Sequence, residues 1–198
     1  MTETTRKAPY HHRNLREALV TAGRTLLEER GMRGFTLREC ARRAEVSHAA
    51  PAHHFASLDD LLAEIAGRGF VELAAMMTAE GRRASDPAAR LVGQGVGYLA
   101  FAAANPVLFR LMFSQERTEA SKAVREAHFA AIAAAIPEAS AEVKSRMSDF
   151  AWATMHGFIS LVLESQIGGG DSSRVLRARS MAILAAMAET VVRGGSAP

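Results

Sequence analysis

The chain has 198 residues, 48% of them hydrophobic and 23% charged, with a formal net charge of +3. That length and balance support one or two compact domains with a buried core and exclude a disordered or fibrous chain. The single cysteine excludes an intramolecular disulfide framework and a four-cysteine zinc site, and no apolar run approaches the ~18 residues of a membrane span.

Residues 1–13 are polar and lack the apolar core of a secretory signal, so they read as a flexible tail on a soluble, cytoplasmic protein. Residues 1–55 hold ten Lys and Arg against six Glu, together with five of the seven histidines. A basic end on a near-neutral body points to an anionic partner such as nucleic acid. Ala, Leu, Met, Glu and Arg dominate and no stretch alternates with period two for long, so the chain reads as all-α with about nine helices.

Asn14 is placed to cap a first helix, whose stripe of Leu15, Ala18, Leu19, Ala22, Leu26 and Leu27 gives it one apolar face. Gly31 is a suitable left-handed cap at its end. Thr36 and Glu39 form a capping-box signal for a second helix running to about Ala44. After a turn at Glu45-Val46-Ser47, Ser47 is placed to cap a short third helix ending near Phe55. Ser57-x-x-Asp60 opens a long fourth helix toward Arg83, and Ser85-Asp86-Pro87 breaks it. Further helices are expected over about 88–104, 107–115, 121–136, 140–166 and 173–193, with Gly168-Gly169-Gly170 as a loop before the last.

Two short helices joined by a tight turn, with small or apolar residues (Leu37, Cys40, Ala41, Val46, Phe55) at their crossing, make a helix-turn-helix candidate whose second helix fits the ~12 Å major groove. The stretch from Phe35 to Ile65 resembles the N-terminal domain of the TetR (tetracycline-repressor-like) family of transcriptional regulators. The matching residues are Gly31, Thr36, Ala41, Ala44, Val46, Ser47, His54, Phe55, Ser57, Leu61 and Leu62. Asn105 to Phe113 and Trp152 to Phe158 resemble the C-terminal domain of one branch, named for a Trp-His-Gly signature. The resemblance implies a helix-turn-helix domain over 14–60 and a helical ligand-binding and dimerisation domain over 61–198. It also implies a homodimer that reads a palindromic operator in double-stranded DNA. A small hydrophobic or amphipathic effector is then expected to release a repressor from that operator.

The chain departs from the family pattern where many members carry Thr-Leu-Tyr and then Lys. Here those positions hold Ala50, Pro51, Ala52 and Leu58, which removes donors for phosphate. The expected DNA contacts are Thr36 and Arg38 on the second helix, with Ser47, His48, Ala49, Ala50, Ala52, His53 and His54 around the third. An imidazole can bond guanine N7 or a phosphate, and alanine can pack on a thymine methyl. Thr36 can offer its hydroxyl and the helix dipole to a phosphate, and Arg42 and Arg43 lie on the same short helix.

Gln94, Tyr98, Phe101, Met112, Phe129, Trp152 and His156 are the expected lining of the effector cavity, mostly apolar with a few polar anchors. Trp152 and His156 are four apart and share a helix face, and Gly157 would let another helix approach. Gly93, Gly95 and Gly97 in a helical pattern serve close packing or space for a ligand. No catalytic set, phosphate-binding loop or metal-ligand spacing is present, so neither an enzyme nor a cofactor or metal is expected. The alternative is a helical ligand-binding or interaction protein with weakened DNA binding.

Overall fold

Side-chain caps set most of the helix starts. The computed structural model describes residues 12–115 and 118–195, and these form eight α-helices, one 3-10 turn and no strand. The tail expected over residues 1–13 lies outside the described residues through residue 11. The chain divides into two compact units, the first through Ala66 and the second from Gly67.

The first unit contains α1 (His12–Arg30), α2 (Leu37–Arg43), the 3-10 turn Ala50–His53 and the start of α3 (Leu58–Gly81). Helix α1 opens at His12, so Asn14 lies inside it and is not its cap. Gly31 ends α1 with φ +64°, the left-handed region where a missing Cβ removes the steric cost. Thr36 caps α2 by accepting from the Glu39 amide at 3.1 Å. The start of α3 carries a reciprocal cap: the Ser57 amide donates to Asp60 Oδ2 at 3.0 Å, and the Asp60 amide to Ser57 Oγ at 3.1 Å. Leu19, Leu26, Leu27, Phe35, Cys40, Ala41, Phe55, Leu61 and Ile65 form the buried core, so the expected crossing residues Cys40, Ala41 and Phe55 lie inside.

The expected third α-helix is not formed. Its place is taken by a single 3-10 turn with Pro51 in its first positions. Pro51 has no N–H to give, and an α-helical course would drive its ring into the Ser47 carbonyl. The Ala50 amide instead closes a tight turn on that carbonyl at 3.0 Å. The Phe55 amide bonds the Pro51 carbonyl at 2.9 Å, and the buried Phe55 anchors the end.

The second unit holds the rest of α3 with α4 (Pro87–Ala104), α5 (Pro106–Ser114), α6 (Glu119–Ala135), α7 (Ala141–Leu163) and α8 (Ser173–Gly195). Asp86, Thr118 and Ser140 cap α4, α6 and α7 through their side chains. Pro106 disfavours helical geometry at Asn105, and the chain turns 105° there between α4 and α5. Helix α4 is central, packing on α5, α6, α7 and α8. Its glycines serve close packing. A Cβ on Gly93 would lie 2.7 Å from the Glu80 carbonyl oxygen, one on Gly97 2.6 Å from that of Met76, and one on Gly95 would strike Leu184. Gly157 differs from expectation, since no side chain or backbone comes within 4 Å of where its Cβ would stand. No single helix among the described residues is long and apolar enough to cross a membrane.

Candidate nucleic-acid interface and ligand clefts

The turn from Ser47 to His53 presents Ser47, His48, Ala49, Ala52 and His53 to solvent, while Pro51 is buried beneath them. Ala50 and His54 are half-buried. Thr36 and Arg38 are exposed on α2. The side chains of His48, His53 and Arg38 make no hydrogen bond or ion pair with the described residues. The structure therefore places Ser47, His48, Ala49, Ala50, Ala52, His53 and His54 on one short run, carried by a 3-10 turn in place of an α-helix, and leaves Thr36 and Arg38 apart on α2.

Two features escaped the sequence. Glu39 is a hub: its carboxylate takes both Arg42 nitrogens at 2.8 and 2.7 Å and lies 3.6 Å from Arg30 and 3.9 Å from Arg43. The Arg42 hydrogen bonds hold the Glu39 carboxyl down at about 2. Arg43 also pairs with Glu29, and that bond lowers the Glu29 carboxyl. So Arg42 and Arg43 are occupied, and Arg38 is the cation of α2 without a partner among the described residues. The second feature is Arg16, which clasps Glu64 with two 2.8 Å bonds and lies 5.2 Å above the Phe55 ring, fastening α1 to the segment after the turn. The i, i+3 spacing of Glu39 and Arg42 was the available signal for the hub. Cys40 is buried, and burial pushes its thiol up to about 11, so it is inert packing.

In the second unit, Tyr98, Trp152 and His156 come together. The Tyr98 hydroxyl lies 2.7 Å from His156 Nδ1. Burial raises the Tyr98 phenol, and the hydroxyl has no other acceptor among the described residues, so it donates to Nδ1 and leaves the ring proton on Nε2. Trp152 and His156 rings are parallel within 4° at 6.5 Å, and Phe113 lies 4.4 Å from His156. The other expected lining residues separate. Phe101 is fully buried core, Phe129 is 40% exposed, and Gln94 borders a different cleft with Arg82 and Arg90. Met112 and Trp152 border a cleft of about 250 Å³ with Phe70, Phe113 and Arg125. His156 borders a third, of about 220 Å³, with Phe109 and Arg110.

His128, one residue before Phe129, is the inward-facing group of α6. Val124, His128, Ile132 and Ile136 recur every four residues, a stripe that identifies it from sequence. Its Nε2 donates to the Ser148 carbonyl at 3.3 Å, and its Nδ1 has no partner. Burial lowers the pKa of both His128 and His156 below the ordinary 6.5. Between the lowered folded values and 6.5, the unfolded chain binds protons that the native chain refuses, so stability falls as pH falls through that window and is unaffected above it. Urea melts at about pH 7.5 and about pH 5.5 are expected to show lower stability in acid, with a smaller drop for His128→Leu. An equal drop in the variant would mean that the imidazole titrates alike in both states.

The sequence matches two family descriptions. Residues 19–65 match the model described as bacterial regulatory proteins, tetR family, and residues 91–184 match that of a tetracyclin repressor-like C-terminal domain. No curated protein matches the chain. Among solved structures, one of a protein of unknown function from Rhodococcus sp. RHA1 has a TM-score of 0.76 and 29% identity, over 95% of this chain and 98% of that one. A TetR variant from Acinetobacter baumannii AYE in complex with minocycline gives 0.69 and 20%, over 91% and 98%. BioQ of Mycobacterium smegmatis gives 0.62 and 18%, over 91% and 99%, and these last two likenesses bear on fold alone. Both matched domains lie in order along one chain, with the exposed 3-10 turn inside the first and the aromatic cluster inside the second, and the chain belongs to the TetR family of DNA-binding transcriptional regulators.

Proposed function

We propose that the protein is a cytoplasmic, homodimeric repressor that reads a palindromic operator through the segment from Thr36 to His54 and releases it when a small amphipathic effector binds the second unit. The carrying observation is the set of exposed, unoccupied side chains on the reading turn, His48 and His53 above all. Operator contacts are assigned to Thr36, Arg38, Ser47, His48, Ala49, Ala50, Ala52, His53 and His54. The parallel Trp152 and His156 rings support the Trp-His-Gly branch for the C-terminal domain. The occupied arginines Arg42 and Arg43 favour the second reading, a ligand-binding protein with weakened DNA affinity.

A mobility shift with the DNA upstream of its own coding region, repeated over a range of salt, separates the two. A complex whose log affinity falls with log salt by about 0.9 per phosphate contact is expected. His48→Ala is expected to weaken the best site by ~1–3 kcal/mol and to spare unrelated DNA. Absence of any complex at low salt would favour the second reading.

The homodimer is supported by an uncovered apolar face. Phe150, Leu161, Val175 and Met181 are between 37% and 44% exposed on α7 and α8, and Gly157 between the first two leaves open space. Sedimentation is expected to give about 43 kDa, twice the 21.3 kDa chain. A monomer at micromolar concentration would remove this element of the proposal.

A further inference from the structure

We propose that the cleft beside Trp152 takes an aromatic carboxylic acid, with Arg125 gripping the carboxylate and the ring lying among Phe70, Phe113 and Trp152. The inference rests on the regulator reading only in calling this molecule the effector. The walls come from four helices of the second unit: Phe70 on α3, Met112 and Phe113 on α5, Arg125 on α6 and Trp152 on α7. Phe70 and Phe113 meet edge to face at 5.3 Å, and Phe113 is 6.3 Å from Trp152, so the aromatic wall is already assembled. Rings arranged this way offer both faces and edges to a further ring. At about 250 Å³ the cleft falls below the ~300–1,000 Å³ of pockets for drug-sized ligands, which favours a single ring.

The charge comes from Arg125. It is half-buried and makes no hydrogen bond or ion pair among the described residues. At the other two clefts of this unit Arg82 is exposed, and the remaining arginines are occupied. Arg110 donates to the Leu163 carbonyl at 3.0 Å and lies 3.6 Å from Glu164, and Arg90 donates to the Ala84 carbonyl at 3.1 Å. Ser121, one turn before Arg125, has no proton left for a carboxylate, because its hydroxyl already donates to the Thr118 carbonyl as part of the α6 cap. A partly desolvated guanidinium beside aromatic surface has no anion among the described residues, and a carboxylate meets it with two parallel charge-assisted bonds. A neutral hydrophobe would cover Arg125 and leave it unpaired, and an amine would be repelled.

A second polar group of α6 lies against Trp152. His128 follows Arg125 on the same face of α6, is 4% exposed, packs 5.5 Å from Trp152, and keeps an unpartnered Nδ1. Its Nε2 donates to the Ser148 carbonyl, so Nδ1 is an acceptor and adds no positive charge. Arg125 therefore sets the sign of the ligand.

Trp152 is the only tryptophan in the chain and lines this cleft, so its fluorescence reads binding on the full-length protein without a label or DNA. The probes are phenylacetate, phenylacetamide and phenethylamine, similar in shape and differing in charge. Phenylacetate is expected to bind on the order of 10- to 100-fold tighter than the amide, with the amine weakest. Arg125→Gln, checked for folding by circular dichroism, is expected to reduce phenylacetate to the amide's affinity and leave the amide unchanged. Arg125→Lys is expected to restore part of the preference, and Arg82→Gln at the neighbouring cleft to leave it intact. Equal binding of acid and amide, an acid preference that survives Arg125→Gln, or no response to any probe at millimolar concentration would overturn the proposal. Loss of operator binding with the acid preference intact would overturn only the regulator reading.

Discussion

Gly97→Leu is expected to yield no folded protein, and Gly97→Ala a protein less stable than the parent in spite of its better helix former. In a free helix the alanine would gain about 1 kcal/mol. At Gly97 its Cβ would sit 2.6 Å from the Met76 carbonyl oxygen and 2.8 Å from the Met77 Cα. These are backbone atoms of α3, which cannot swing aside as a side-chain end can. Overpacking of this kind costs ~1–3 kcal/mol and more when backbone must move, so the clash outweighs the propensity gain. Gly67→Ala is the control, because no atom beyond the local helix lies within 4 Å of that Cβ; it is expected to add about 0.5–1 kcal/mol. Urea melts of the three proteins decide the matter. A Gly97→Ala variant as stable as the parent would show that α3 and α4 part easily.

Glu39→Ala is expected to tighten binding to DNA of any sequence and to steepen its salt dependence. The substitution removes one negative charge from α2 and releases Arg42, with partial release of Arg30 and Arg43. Each guanidinium that then reaches a phosphate steepens the slope by about 0.9, which near physiological salt amounts to roughly fivefold in affinity. Two released contacts therefore give on the order of 20-fold for unrelated DNA, and the ratio between operator and unrelated DNA shrinks. The cost in stability is small, because exposed pairs are worth about 0–1 kcal/mol. An unchanged slope would mean that these arginines face away from the duplex. A steeper slope would assign Glu39 the role of limiting indiscriminate binding by holding cations back, a role that Gln in its place would not reproduce.

Local chemistry made most of the fold legible. Thr36, Ser57, Asp86 and Ser140 each announce a helix start because a short polar side chain before an apolar run satisfies an amide that the helix leaves free. The third helix misled because its apolar end at Phe55 is a genuine signal, yet one absent N–H at Pro51 reduces it to a single 3-10 turn that starts after Ala49 without a side-chain cap from Ser47. The glycines of α4 were ambiguous for a different reason. Sequence shows that a Cβ is missing and cannot show whether backbone or ligand fills the space. In the candidate site, the meeting of Tyr98, Trp152 and His156 was legible from aromatic and i, i+4 patterns. Phe129 in place of His128 was an error of one position on α6, since aromatic character outweighed the four-residue stripe. Arg125 was missed because a lone charge on an amphipathic helix reads as solvated surface until its neighbours are known.

Under the proposed operator reading, the proline that shortens the turn after α2 also changes the thermodynamics of association. Its ring fixes φ near −65°, and its buried position ties the carbonyl to both the His54 and Phe55 amides at 2.9 Å. The side chains that flank it, Ala52 and His53, therefore stand on a backbone with little freedom left to surrender on contact with DNA. Ordering a loop against a partner normally consumes part of the interaction energy. Here a covalent ring has removed part of that loss in advance, which offsets the scarcity of phosphate donors with a lower entropic cost for each contact made.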